Sequence, residues 1–120
     1  MLIKKFEEIE SWKEARELNK LIYEITKSPK FSKDFGLKDQ IQRASVSIMA
    51  NISEGFARGS KKYFINFLNF ANGSASEVEA LLYVALDQSY INKNEFQNVY
   101  QRIEKIKKMI GGFIQYLKKN

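Results

Sequence analysis

From Glu8 to the C-terminal lysines, apolar residues recur at spacings of three and four, the repeat of helices that bury one face. Trp12, Ala15, Leu18, Ile22 and Ile25 predict a first helix over about residues 8–27. Ser28-Pro29 stops it, because the residue before a proline avoids helical geometry. Lys30 to Gly36 reads as an extended connection. Leu37, Ile41, Ala44, Ile48, Ile52 and Phe56 give a second helix over about 37–57. Its run of small residues suits close approach to a neighbouring helix. Gly59 fits a left-handed cap after it, and Ser60 an N-cap for the next helix.

The third helix, about 61–89, carries two stripes. One runs Phe64, Phe67, Ala71, Ser74, Val78, Leu81 and Ala85; the other Ile65, Leu68, Ala75, Leu82 and Leu86. Phe70, Tyr83 and Val84 lie outside both. A helix apolar nearly all round is buried or faces a partner. Asn92 and Glu95 form a capping-box pattern that opens a fourth helix, about 93–118. Its stripe is Phe96, Val99, Ile103, Ile106, Ile110, Phe113 and Leu117, with Tyr100, Ile114 and Tyr116 off it. Gly111-Gly112 inside this helix marks either close backbone contact or a weak point.

Four helices with short connections predict an all-α, up-down-up-down four-helix bundle, one domain over 1–120. One bundle cannot bury both stripes of the third helix. A homo-oligomer is therefore expected, with Ile65, Leu68, Leu82 and Leu86 as its candidate interface.

Composition mainly excludes. There is no histidine, which removes the usual general base near neutral pH and the commonest metal ligand. There is no cysteine, hence no disulfide framework or thiolate site. The Glu-x-x-His pattern of di-iron bundles cannot occur. Residues 55–62 resemble a phosphate loop only weakly, lacking the Gly-Lys-Ser/Thr ending and a preceding strand. We expect no enzyme, no catalytic residue, no metal and no cofactor. The N-terminus lacks a signal-peptide core, and no apolar run reaches the roughly 20 residues of a membrane span. The expected location is the cytoplasm, with no membrane partner.

Charge changes the picture. The net charge is +6 and the pI about 9.5. Residues 63–91 hold Glu77, Glu79 and Asp87 but no Lys or Arg, and the surplus of basic residues lies before and after them. Arg58, Lys61 and Lys62 cluster at a helix start, where cations oppose the helix dipole. Arg102, Lys105, Lys107 and Lys108 occupy the fourth helix, and Lys118 and Lys119 suit its C-terminal dipole. Arg58, Lys61, Lys62, Arg102, Lys105, Lys107 and Lys108 are candidate nucleic-acid contacts; a solvated basic surface is the structural alternative. Arg43 and Glu77 are candidates for a cross-helix ion pair, and Asn51 and Glu54 for buried packing bonds. Phe64, Phe67 and Phe70 read as core or interface before they read as base-stacking platforms. Two function classes follow: a non-enzymatic, homo-oligomeric bundle binding RNA or DNA without sequence specificity, and a structural or protein–protein adaptor with no nucleic-acid role.

Four segments carry a resemblance: Trp12 to Ala15, Phe35 to Ile48, Ala50 to Ser60, and Phe67 to Glu79. Together they resemble the bacterial four-helix bundle family named for the 23S rRNA-intervening sequence protein. That family is similar to the accessory variability determinant protein of diversity-generating retroelements. The resemblance implies a ring of five bundles, nucleic-acid binding and a reverse transcriptase as protein partner. Family members often carry proline where this chain has Met49, so an unbroken second helix is expected.

Overall fold

The structure, a computed structural model, describes residues 2–120. After a short 3-10 turn at Phe6–Glu8 come helix α1 (Glu10–Ile25), a second 3-10 turn at Phe31–Lys33, and helices α2 (Phe35–Ala57), α3 (Lys61–Asp87) and α4 (Lys93–Lys119). No strand occurs among the described residues. The four helices form an elongated bundle of 46 × 21 × 19 Å. Each packs on its chain neighbours, α2 and α3 most extensively, and α4 returns to α1. Cross-helix contacts show the alternating directions. The Ser74 hydroxyl donates to Ser47 Oγ at 3.0 Å, while Gly55 lies against Phe64 and Phe67. Phe64 meets Phe113 at 5.2 Å between ring centroids, and Tyr83 meets Phe96 at 4.8 Å.

Local chemistry sets the boundaries. Gly59 takes φ +74° after α2, and Ser60 Oγ accepts the Tyr63 N–H at 3.2 Å. Asn92 and Glu95 exchange side-chain-to-backbone bonds at 2.8 and 2.9 Å, the capping box the sequence predicts. At the end of α3, the Tyr90 N–H donates to the Ala85 carbonyl at 2.9 Å and the Ser89 N–H to Leu86 at 3.0 Å. That is a Schellman ending with Ser89, at φ +61°, in the left-handed position. The connection between α1 and α2 is not extended. Asp34 caps α2 by accepting the Leu37 N–H at 3.1 Å, so α2 starts earlier than predicted. Phe31 is fully buried, its ring 5.3 Å from Tyr90, whose hydroxyl donates to Asp34 at 3.0 Å. The loop is thereby pinned to the turn between α3 and α4. α2 runs unbroken through Met49.

The core corrects several expectations. Leu68 and Leu82 are fully buried within the single bundle, and Ile65 and Leu86 pack half-buried against its core. They therefore serve the bundle's own interior, because α3 turns its second stripe inward too. Ile114, expected off the stripe, is buried, while Phe113 is only half-buried. Arg43 pairs with Asp39 along its own helix at 2.8 Å, and Glu77 instead accepts a long 3.5 Å bond from Gln40. Asn51 donates back to Ser47, and Glu54 is exposed. A β-carbon on Gly55 would stand 2.7 Å from Phe67 Cβ, so this glycine permits the α2–α3 approach. Nothing lies within 4 Å of such a carbon on Gly111 or Gly112, which removes the close-contact reading within the chain.

Candidate nucleic-acid surface

Antiparallel packing brings the α2–α3 turn and the end of α4 to one end of the bundle. Gly55, Phe56, Ser60, Lys61 and Phe64 there share a hollow of about 300 Å³ with Tyr116, Leu117 and Asn120. Lys61 and Lys62, in the first turn of α3, are exposed, as are Lys118 and Lys119 in the last turn of α4. Among the described residues none of these four has an acidic group within 4 Å. Arg58 pairs with Glu54 at 3.1 Å, and its guanidinium also lies 5.1 Å from the Phe67 ring centroid and 6.0 Å from that of Tyr63. Phe70 stands edge-on to Phe67 at 5.5 Å. Tyr63 and Phe70 are 50% and 58% exposed, so an aromatic surface adjoins the basic turn.

The α4 candidates are not one free basic face. Lys105 binds Glu14 of α1 at 2.6 Å. Lys107 binds Glu79 of α3 at 2.9 Å and lies 3.6 Å from Glu104. Both are thus ion-paired between helices, Lys107 half-buried and Lys105 still exposed. Arg102 and Lys108 are exposed and have no such partner among the described residues.

Glu79 is a polar residue that sequence reasoning missed. Its carboxyl is buried; Oε1 accepts from Lys107 Nζ at 2.9 Å, and Oε2 has no hydrogen-bond partner. Burial pushes its pKa up; a bond shared with Glu104 adds to this, and Lys107 pulls against it. The same shared bond holds Glu104 below the usual carboxylate range, and Glu79 raises the Lys107 ammonium. The signal was present: residues 65, 68, 72, 75, 79, 82 and 86 form one heptad line, broken only by Asn72 and Glu79. Such breaks in an inward stripe mark a buried polar contact. This cluster locks α3 to α4. No group of three metal-capable side chains occurs among the described residues.

The surplus apolar area of α3 lies on a third line: Tyr63, Asn66, Phe70, Gly73, Glu77, Ala80, Val84 and Asp87, all exposed. Charge divides it. Tyr63 adjoins Arg58, and Phe70 lies one ring further on, edge-on to Phe67, whereas Tyr83 and Val84 lie between Glu77 and Asp87. Tyr83 also heads a cluster with Phe96 and Tyr100, whose rings stack at 5.4 Å. No helix among the described residues is long and apolar enough to cross a membrane.

The model of the 23S rRNA-intervening sequence protein family matches residues 7–112. The chain is also similar to a crystal structure of a protein of unknown function from the S23 ribosomal protein family of Bacteroides thetaiotaomicron. Identity is 28%, with 87% of this chain and 97% of that one covered and a TM-score of 0.81. Among curated proteins no relative matches. With nearly the whole chain matched and the four-helix fold shared, this protein belongs to the 23S rRNA-intervening sequence protein family.

Proposed function

We propose that the protein is a non-enzymatic, self-associating helical bundle that holds nucleic acid by its phosphates at the end where α2 turns into α3. The observation that carries this is the unpaired basic group there: Lys61 and Lys62, with Lys118 and Lys119 arriving on α4. Cations in the first turn of α3 oppose its dipole by about 0.3–1 kcal/mol each, and no acidic residue occupies that turn to offset them. A bound phosphate chain would. Contacts of this kind neutralise charge and release counterions without reading bases.

Self-association is drawn from the outer line of α3 at Ala80 and Val84, with exposed Tyr83 beside it, where Glu77 and Asp87 flank them on the helix. Arg102 and Lys108 on α4 of a second copy supply cations that complement it. A closed ring joins two different patches, and the ring of five implied by the resemblance would gather five basic ends around one axis. The same exposed apolar residues support the second reading, a protein–protein adaptor without nucleic acid. A reverse transcriptase is the partner the resemblance suggests for it.

Titration of single- and double-stranded RNA and DNA at low salt separates the two. Binding that weakens on charge reversal at Arg58, Lys61 and Lys62, and much less at Lys4 and Lys5, supports the first. Absence of binding by all four nucleic acids leaves the adaptor.

A further inference from the structure

We infer that the nucleic acid taken at this end is a single strand, its bases stacked on Tyr63 and Phe70 beside the Phe67–Arg58 pair. The inference rests on the phosphate-binding reading above and adds the class of strand. Tyr63 and Phe70 are seven residues apart on one line of α3, about 10 Å along the axis at the helical rise of 1.5 Å per residue. Both are at least half exposed, although Phe67 between them is half-buried and its ring already carries the Arg58 guanidinium. A guanidinium plane and an aromatic ring are the two side-chain surfaces on which unpaired bases stack.

The charge around them is one-sided. Arg58 ends α2 and Lys61 and Lys62 open α3, and no Lys or Arg follows in sequence until Lys93. Beyond Phe70 on the outer line stand Gly73 and then Glu77. A strand with a phosphate edge and a base edge fits this layout. Its phosphates follow the basic turn, and its bases lie toward Phe70, away from Glu77. A duplex keeps its base faces stacked inside and presents phosphates on both sides, so it gains nothing from the rings. The other exposed aromatic of α3, Tyr83, has Glu77 and Asp87 on its own helix and no Lys or Arg there.

The test uses the full chain at low salt with an oligouridylate and with an RNA duplex carrying the same number of phosphates. Stacking on one ring contributes about 5- to 150-fold in affinity. Tyr63→Ala and Phe70→Ala are each expected to weaken single-strand binding by that range and to leave duplex binding within twofold. Tyr63→Phe retains single-strand affinity. Circular dichroism confirms that the variants keep their helices, and light scattering follows their mass. Equal single-strand and duplex affinity, unmoved by the ring variants, overturns the inference while the phosphate reading stands. No binding by either strand form removes both. A change of mass in the ring variants, with single-strand affinity retained, assigns the rings to a second copy of the chain and overturns the inference.

Discussion

At the scale of single residues, the buried carboxyl of Glu79 sets a pH dependence with a definite sign. Burial first, then the bond shared with Glu104, raises its pKa above the ordinary 4.5. The native state therefore holds that proton more tightly than the unfolded chain. Its contribution to stability is full below pH 4.5 and declines as pH rises through the raised value. Glu104 is shifted downward, so its contribution is present above 4.5 and lost as pH falls. Glu79→Gln is expected to abolish the decline on the neutral side, measured as the difference between the two proteins in urea unfolding from pH 4 to 8. A difference that does not vary with pH contradicts this assignment. The chain foretold this residue only indirectly. Glu79 and Asn72 interrupt the second stripe of α3, but a polar break on a helix line does not show which way that line faces. The opposite outcome holds for Arg43 and Glu77. Their charges suited a cross-helix pair, yet Asp39, one turn from Arg43, offers a partner at lower ordering cost.

At the scale of elements, caps and small residues decide where helices end and how closely they pack. Gly59, Ser60 and the Asn92–Glu95 pair were legible because each needs only local sequence. Asp34 and the buried Phe31 were not, since a three-residue turn has no periodicity and its anchor, Tyr90, is 56 residues away along the hydrogen bond to Asp34. Ser89 was missed because the left-handed position at the end of α3 ordinarily selects glycine. Ser89→Gly is expected to stabilise the protein by up to about 1 kcal/mol, relieving a conformation that side chains disfavour. Gly55→Ala acts the other way. Its β-carbon would meet Phe67 Cβ at 2.7 Å, and forcing α2 from α3 costs about 1–3 kcal/mol. Denaturant midpoints measure both, and a neutral Gly55→Ala would show that the α2–α3 approach is looser than described.

At the scale of the whole molecule, the count of apolar lines on α3 told more than their identity. Periodicity showed that α3 carries more apolar surface than one bundle face requires. It could not tell which line points outward, because α3 touches α2 on one side and α4 on the other. The lines through Phe64 and Val78 and through Leu68 and Leu82 went inside, and the outer line through Tyr63, Phe70 and Val84 remained. Polar substitution at Leu68 should therefore unfold the chain, as loss of a buried leucine costs about 2–5 kcal/mol. Val84→Lys should instead lower the mass seen in light scattering while helicity is kept. A monomeric mass for the unmodified protein would remove self-association from the account. The basic end was legible in part: Lys61 and Lys62 oppose the α3 dipole, whereas Arg58 caps the end of α2, where a cation suits the dipole, and the ion pairs that occupy Lys105 and Lys107 depend on Glu14 and Glu79, far away in sequence. The salt dependence of single-strand binding tests the central claim most directly. Log affinity should fall linearly with log salt, by about 0.7 for each phosphate contact. Lys61→Gln with Lys62→Gln should reduce that slope by about 1.4. Affinity independent of salt, or an unchanged slope in the double variant, would contradict a phosphate-binding bundle end.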